Sequence, residues 1–302
     1  MKKTTIASTV TRKSVLSGFL YSILSAVSFG LIPLFSLPVM NQGMNFISVL
    51  IYRFAFSCLF ILPILIFSNK KLKISIGEVW RLMLLALLYC GSALFLFWSY
   101  QFMSSGKATT IHFMYPVFTS IIMMLFFHEK FSIKTISAII IAVSGVACLA
   151  NENNADSHFA LIGLLIVLFS GVCYAIYLVA VNQLKVRSMG SLKLTFYVML
   201  FGLFILIIVS ESFGQGIQRI PNISSGIHLI FLALIPTVVS NIALILAIKR
   251  LGSTRTAVMG AFEPLTAVCV GVVFLGEQLS FSSVFGIVFI IIAVTILVYS
   301  KR

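Results

Sequence analysis

The chain has 302 residues, 60% of them hydrophobic and only 9% charged. Soluble domains carry about 25% charged residues, so a water-soluble fold is excluded and lipid is expected to be the main solvent. The formal charge of +14 raises nucleic acid as a partner, but the placement of the charges argues against it.

A helix needs about 20 mostly apolar residues to cross a bilayer, and ten such spans follow one another. Span 1, about 14–34, follows Lys2, Lys3, Arg12 and Lys13 and so has the outline of a signal peptide. It is expected to be retained, because a later span repeats it. Span 2, about 46–67, carries Arg53, and span 3, about 79–101, ends in Trp98 and Tyr100. Span 4, about 108–127, contains His112, Tyr115 and Pro116, and span 5 covers about 133–150. Spans 6 and 7 cover about 159–181 and 192–210. Span 8, about 227–248, holds Ser240 and Asn241, and span 9, about 256–276, holds Gly260, Glu263 and Pro264. Span 10 closes the chain at about 281–299. The links 4–5 and 9–10 are short enough to demand helical hairpins. The alternating ten-residue strands of a β-barrel are missing from the pattern. The expected class is an all-α polytopic membrane protein of ten transmembrane helices.

With the N-terminus inside, eighteen basic residues fall in cytoplasmic segments; only Lys107 and Arg219 fall outside, and Arg53 lies within a span. The positive-inside rule then places both termini in the cytoplasm. The basic charge reports topology, and no nucleic-acid partner is expected. Cys58, Cys90, Cys148, Cys173 and Cys269 all lie in apolar segments, without a CxxC pair, and read as small hydrophobes.

The sequence repeats itself. Residues 98–132 lie without a gap over 246–280, so that Pro116 meets Pro264, Lys107 meets Arg255, Glu129 meets Glu277 and Ser132 meets Ser280. Span 1 matches span 6, pairing Gly18 with Gly163 and Ser25 with Ser170; LFIL at 59–62 in span 2 recurs at 203–206 in span 7. The halves are 1–150 and 151–302. Five helices per half is an odd number, so the second copy enters the membrane the other way up. Inverted repeats of this kind are typical of secondary transporters, because each half can take up the other's conformation.

The stretches "YPVFTSIIMMLFFHEKFS" and "EPLTAVCVGVVFLGEQLSFSSVFG" resemble the motif of EamA domains in the drug/metabolite transporter superfamily. Arg53 in "IYRFAF" is similar to the arginine of that family's second helix. The resemblance spans nearly the whole chain. It implies a ten-helix secondary transporter with a central cavity, moving small polar metabolites such as amino acids, or drugs, commonly outward across a bacterial inner membrane. Two departures stand out: "FFHE" lacks the glycine common before the glutamate, and Tyr115 occupies the site that matches Glu263.

Arg53, His112 and Glu263 are ionisable groups within spans, each costing about 2.5–3.5 kcal/mol near mid-membrane for Arg or Asp on insertion scales, and such residues face the protein interior. Pro264 withdraws a helix bond from the Gly260 carbonyl, and Pro116 does the same at His112. The result is a pair of kinks, Gly260–Pro264 and His112–Pro116, each beside a polar side chain. Glu263 either titrates, binding a proton or a substrate amine, or is a fixed partner of a basic group. Arg53 either clamps a substrate carboxylate or locks span 2 to a neighbour, and His112 is a substrate contact or an ordinary hydrogen-bonded histidine. Tyr115, Asn241, Ser240 and Trp98 complete the candidate substrate or proton site. Glu129 and Glu277, each followed by a serine, read as helix-capping groups. No metal site, cofactor or direct ATP coupling is expected. The partners are a small-molecule substrate, membrane lipid and coupling protons, with the chain a monomer or homodimer. A membrane-embedded or lipid-modifying enzyme and a channel are the alternative readings.

Overall fold

The computed structural model describes residues 12–68, 72–127, 133–150, 157–184, 189–214, 216–251, 256 and 259–300. The described residues form helices and no strand. Seven helical stretches are long and apolar enough to cross a membrane, and three shorter apolar helices, Ile133–Leu149, Phe262–Leu275 and Phe281–Ile296, accompany them. Together they account for the ten expected spans.

Several spans are interrupted, and the interruptions have local causes. Span 1 is split into α1 (Arg12–Gly30) and α2 (Ile32–Met40), and it runs on past the expected end at residue 34. Pro33 sits in the first turn of α2, where its missing N–H costs nothing, so the chain restarts as helix instead of ending. Span 2 is α3 (Phe46–Phe67), opened by Asn45, whose side chain accepts the Ser48 N–H at 2.7 Å. Span 3 is α4 (Ile76–Ser99). Span 4 divides into α5 (Ser105–His112) and α6 (Tyr115–Phe127). Then come α7 (Ile133–Ala150), α8 (Ser157–Gln183) and α9 (Ser191–Ser212). Span 8 is α10 (Ile223–Ala233), a π-helical turn over Leu234–Val239, and α11 (Ser240–Leu251). Pro236 lies in that turn, where an i→i−4 ladder cannot continue. Span 9 provides α12 (Phe262–Leu275), and span 10 is α13 (Phe281–Ser300).

Each half packs mainly on the other. Helix α1 lies on α11, α3 on α9, α4 on α8 and α9, α5 on α12, and α7 on α13. One core cluster centres on α3, α4 and α9 around Phe54, Leu85, Met199 and Leu206. A second joins α5, α7 and α13 around Ile111, Ala138, Ala142 and Ile290. Lipid replaces water outside, so the rims of α4, α7 and α13 expose Trp80, Ile140 and Phe285 without penalty. Cys58, Cys90 and Cys173 are buried as expected, whereas Cys269 is exposed on α12. Lys107 also departs from expectation. Helix α5 begins three residues earlier than the sequence pattern suggested, which carries Lys107 off the external link and into buried helix.

The α7–α13 pair is joined through backbone. A Cβ at Gly145 would lie 2.9 Å from the Gly286 carbonyl oxygen, and one at Gly286 would lie 2.7 Å from that of Gly145. Without a hydrophobic drive between helices in lipid, such close approach through small residues supplies the association. Gly286→Ala is therefore expected to lower stability by about 1–3 kcal/mol, the usual range for overpacking, and Gly286→Leu by more. The thermal midpoint of the purified protein in detergent checks this, and an unchanged midpoint for Gly286→Leu contradicts it.

Candidate functional site

The two kinks fall at matching positions. Span 4 breaks at Phe113–Met114, between His112 and Tyr115, and α12 begins at Phe262 after the turn at Gly260–Ala261. At the second break the Gly260 carbonyl is not left free, contrary to expectation. It accepts the Glu263 N–H at 2.9 Å, because the chain tightens by one residue to keep that carbonyl satisfied. Gly30, at the break of span 1, is packed against this turn. A Cβ there would sit 2.5 Å from the Glu263 carbonyl oxygen, so only glycine lets the two backbones meet.

Glu263 is 8% exposed, and its carboxylate has no hydrogen-bond or ion-pair partner among the described residues. The fixed-partner alternative finds no basic group among the described residues. Tyr89, Tyr100, Tyr115 and Tyr174 lie within electrostatic range of Glu263, and Tyr89 and Tyr100 within that of Arg53 as well. The rings form one contiguous set. Tyr115 meets Tyr174 edge-on with centroids 4.7 Å apart, Tyr174 stacks on Tyr177 at 5.7 Å, and Tyr89 meets Tyr177 at 5.4 Å. The hydroxyls of Tyr89, Tyr115, Tyr174 and Tyr177 have no protein partner among the described residues, and none is sealed from contact. Buried hydroxyls normally find a partner, and these four have none among the described residues.

His112 is 4% exposed and belongs to the same wall, its ring 5.9 Å from that of Tyr115 and 5.5 Å from that of Tyr174. Its Nδ1 is 3.0 Å from the Ser170 hydroxyl, which donates to the Ser92 carbonyl at 2.6 Å. With that hydroxyl's proton committed to Ser92, Nδ1 is left as the donor to it.

Arg53 is 2% exposed on α3. Its Nε donates to the Thr237 hydroxyl at 3.1 Å, and its Cζ lies 5.9 Å from the Phe97 ring centroid. One terminal nitrogen, Nη2, is buried with no acceptor among the described residues. The lock to a neighbour is present, but it uses one nitrogen of three. Thr237 lies in the π-helical turn, a device that often marks functional positions. The Asn241 side chain donates to the Thr237 carbonyl at 2.6 Å, which places Asn241 as a support of that turn. Ser240 donates to the Ser25 carbonyl at 2.9 Å and lies 3.2 Å from its hydroxyl, so it joins α11 to α1.

Glu263, Tyr115, His112 and Arg53 are thus brought to one region, with Asn241 and Ser240 behind it. Trp98 stands apart. It is 38% exposed and pairs with Phe95 and Phe102 on the outer face of α4, the position of an interfacial belt aromatic. Tyr89, Tyr174, Tyr177, Ser170 and Thr237 were missed by sequence reasoning. A signal for three of them exists: Ser170, Tyr174 and Tyr177 follow at i, i+4 and i+7 and share one helix face.

Glu277 caps, but not the helix that follows it. It takes three hydrogen bonds from the N-terminus of α5, while Ser280 serves α13 by accepting the Ser283 N–H at 3.1 Å. Glu129 and Ser132 lie outside the described residues. Among the described residues no group of three His, Cys, Asp or Glu gathers as metal ligands would.

Comparison with known proteins adds identity to this geometry. The model of the EamA-like transporter family matches residues 16–151 and again residues 161–299. An uncharacterized transporter of Clostridium kluyveri is 23% identical over 293 residues, covering 94% of each chain. Solute carrier family 35 member G1 of Mus musculus is 30% identical over 129 residues, which are 43% of this chain and 34% of its own length. A solved crystal structure overlays with a TM-score of 0.66 at 13% identity, covering 94% of this chain and 96% of its own, a likeness of fold alone.

Proposed function

The chain belongs to the EamA-like transporter family, and from there we propose that it is a secondary carrier. It exports small polar metabolites, amino acids or similar compounds and drugs among them, across a bacterial inner membrane by alternating access. The observation that carries this reading is the Glu263 carboxylate, buried and without a partner among the described residues, near Tyr89, Tyr115 and Tyr174, whose hydroxyls likewise have no partner there. An unpaired buried charge is costly, and a site that keeps one is built to be completed by a proton or a guest.

The inverted two-fold relation has support from packing. Exchanging span 1 with 6, 2 with 7, 3 with 8, 4 with 9 and 5 with 10 leaves the main pairings unchanged: α1 on α11 becomes α8 on α4, and α4 on α9 becomes α10 on α3. Even the serine contacts correspond. Ser25 with Ser240 and Ser170 with Ser92 join the matching helix pairs. Two such halves can rock about the central site, exposing it to one side at a time.

A thermal-shift panel of amino acids, nucleosides, sugars and cationic drugs on the purified protein tests the site. A ligand at 100 times its Kd stabilises by ~2.7 kcal/mol. Amine-bearing compounds are expected to raise the midpoint of the native protein and to lose that effect in Glu263→Ala. Amine hits that persist at full size in Glu263→Ala contradict the assignment.

A further inference from the structure

The carboxylate of Glu277 reaches from the end of α12, in one half, to the start of α5, in the other. Its Oε1 accepts the Ser105 N–H at 2.6 Å and the Ser105 hydroxyl at 2.6 Å, and its Oε2 accepts the Gly106 N–H at 3.1 Å. The first N–H groups of a helix have no partner within it, and Ser104, the residue at the cap position, supplies no side-chain bond. The cap of α5 therefore comes from another helix, and negative charge at that helix end is favoured by the dipole as well.

The local chain is shaped for this contact. Gly276 is left-handed at φ +70°, which turns the chain back so that the Glu277 N–H reaches the Gly271 carbonyl at 2.9 Å. A Cβ on Gly271 would lie 2.2 Å from Oε2, and one on Gly106 would lie 3.3 Å from it. The carboxylate thus occupies a slot between two glycines. In the repeat register Gly271 corresponds to Met123 and Gly106 to Thr254, so the slot is written into one half only. A cavity of about 440 Å³ adjoins the contact and touches Ser104, Ser105, Tyr100 and Glu277. Solvent entering there can take over the donors of α5 when the carboxylate leaves.

Helices α5 and α12 are also the two that lead to the candidate site, α5 ending at His112 and α12 beginning beside Glu263. We propose that Glu277 is a positioning residue of the transport cycle. Its carboxylate latches α12 to α5, holding this end of the bundle closed, and loss of the latch is the step that opens it. The inference rests on the carrier reading above. Because only this half has the glycine slot, the latch biases the empty protein toward the state closed at the Glu277 end.

The test measures the opening directly and needs no substrate, so its failure is separate from a failure of the carrier reading, which flux decides. Spin labels on Gln101→Cys and Val273→Cys, both exposed sites, report the separation across this end when the native cysteines are replaced. The parent protein is expected to show one dominant short distance. Glu277→Gln, which turns an acceptor into a donor facing an N–H, is expected to add a longer population at several times the parent level. Gly271→Ala, which expels the carboxylate without altering charge, should do the same, and Ser105→Ala should do so to a smaller degree. Distance distributions that superimpose on the parent in the folded variants, with only the thermal midpoint lowered, make Glu277 a static cap and overturn the proposal.

Discussion

Glu263→Gln is expected to abolish accumulation driven by a pH gradient while leaving substrate exchange at equilibrium intact. The carboxylate is buried, has no basic neighbour among the described residues, and lies at the start of α12 where the span is broken by Gly260–Ala261. A glutamine keeps the size and the hydrogen-bonding capacity but cannot exchange a proton, so the guest can still be held while coupling is lost. For amine-bearing substrates that exchange needs a roughly tenfold to hundredfold higher concentration, since a charge-assisted bond is worth about 1.5–3 kcal/mol. Proteoliposomes with an imposed pH gradient check this, and undiminished proton-driven accumulation in Glu263→Gln removes Glu263 as the coupling group.

Arg53→Met is expected to transport poorly and yet to be at least as stable as the parent. Among the described residues the guanidinium makes one good bond, to Thr237 at 3.1 Å, has a weak ring contact with Phe97, and leaves Nη2 buried without an acceptor. Replacing a buried charge whose desolvation is incompletely offset by an apolar side chain of similar length is often neutral or stabilising, by about 1–4 kcal/mol. A residue kept at such a cost serves function more than folding. Flux of carboxylate-bearing substrates is expected to fall at least tenfold, with the thermal midpoint unchanged or higher. A lower midpoint with intact flux instead makes Arg53 a structural lock alone.

The spans were legible because lipid imposes length and apolarity on every crossing helix, and the 148-residue register of the sequence puts Pro116 and Pro264, and so the two breaks, at matching sites. Chain ends of spans were less legible. Span 1 runs past its expected end at residue 34, with Pro33 in the first turn of α2, and α5 begins early enough to bury Lys107. For the site, charged residues in an apolar background announce themselves, which is how Glu263, Arg53 and His112 were found. Tyr89, Tyr174 and Tyr177 do not, since a tyrosine in a membrane sequence passes for a belt or core aromatic until its neighbours are known. The same limit applied to Trp98, whose type suggested a ligand contact and whose place on α4 faces outward. Glu277 shows a different limit. Its capping chemistry was readable, but the helix it caps lies 172 positions away along the chain, and only the fold brings the two together.

The central claim is that the protein carries its substrate by exposing one site to each side in turn. Counterflow in proteoliposomes tests it most directly: vesicles preloaded with an unlabelled ligand from the thermal-shift panel, then diluted into trace labelled ligand. The account predicts saturable, transient accumulation of label above equilibrium that depends on the internal load and is reduced in Arg53→Met. Unsaturable flux with electrical conductance, or label entry indifferent to the internal ligand, contradicts it.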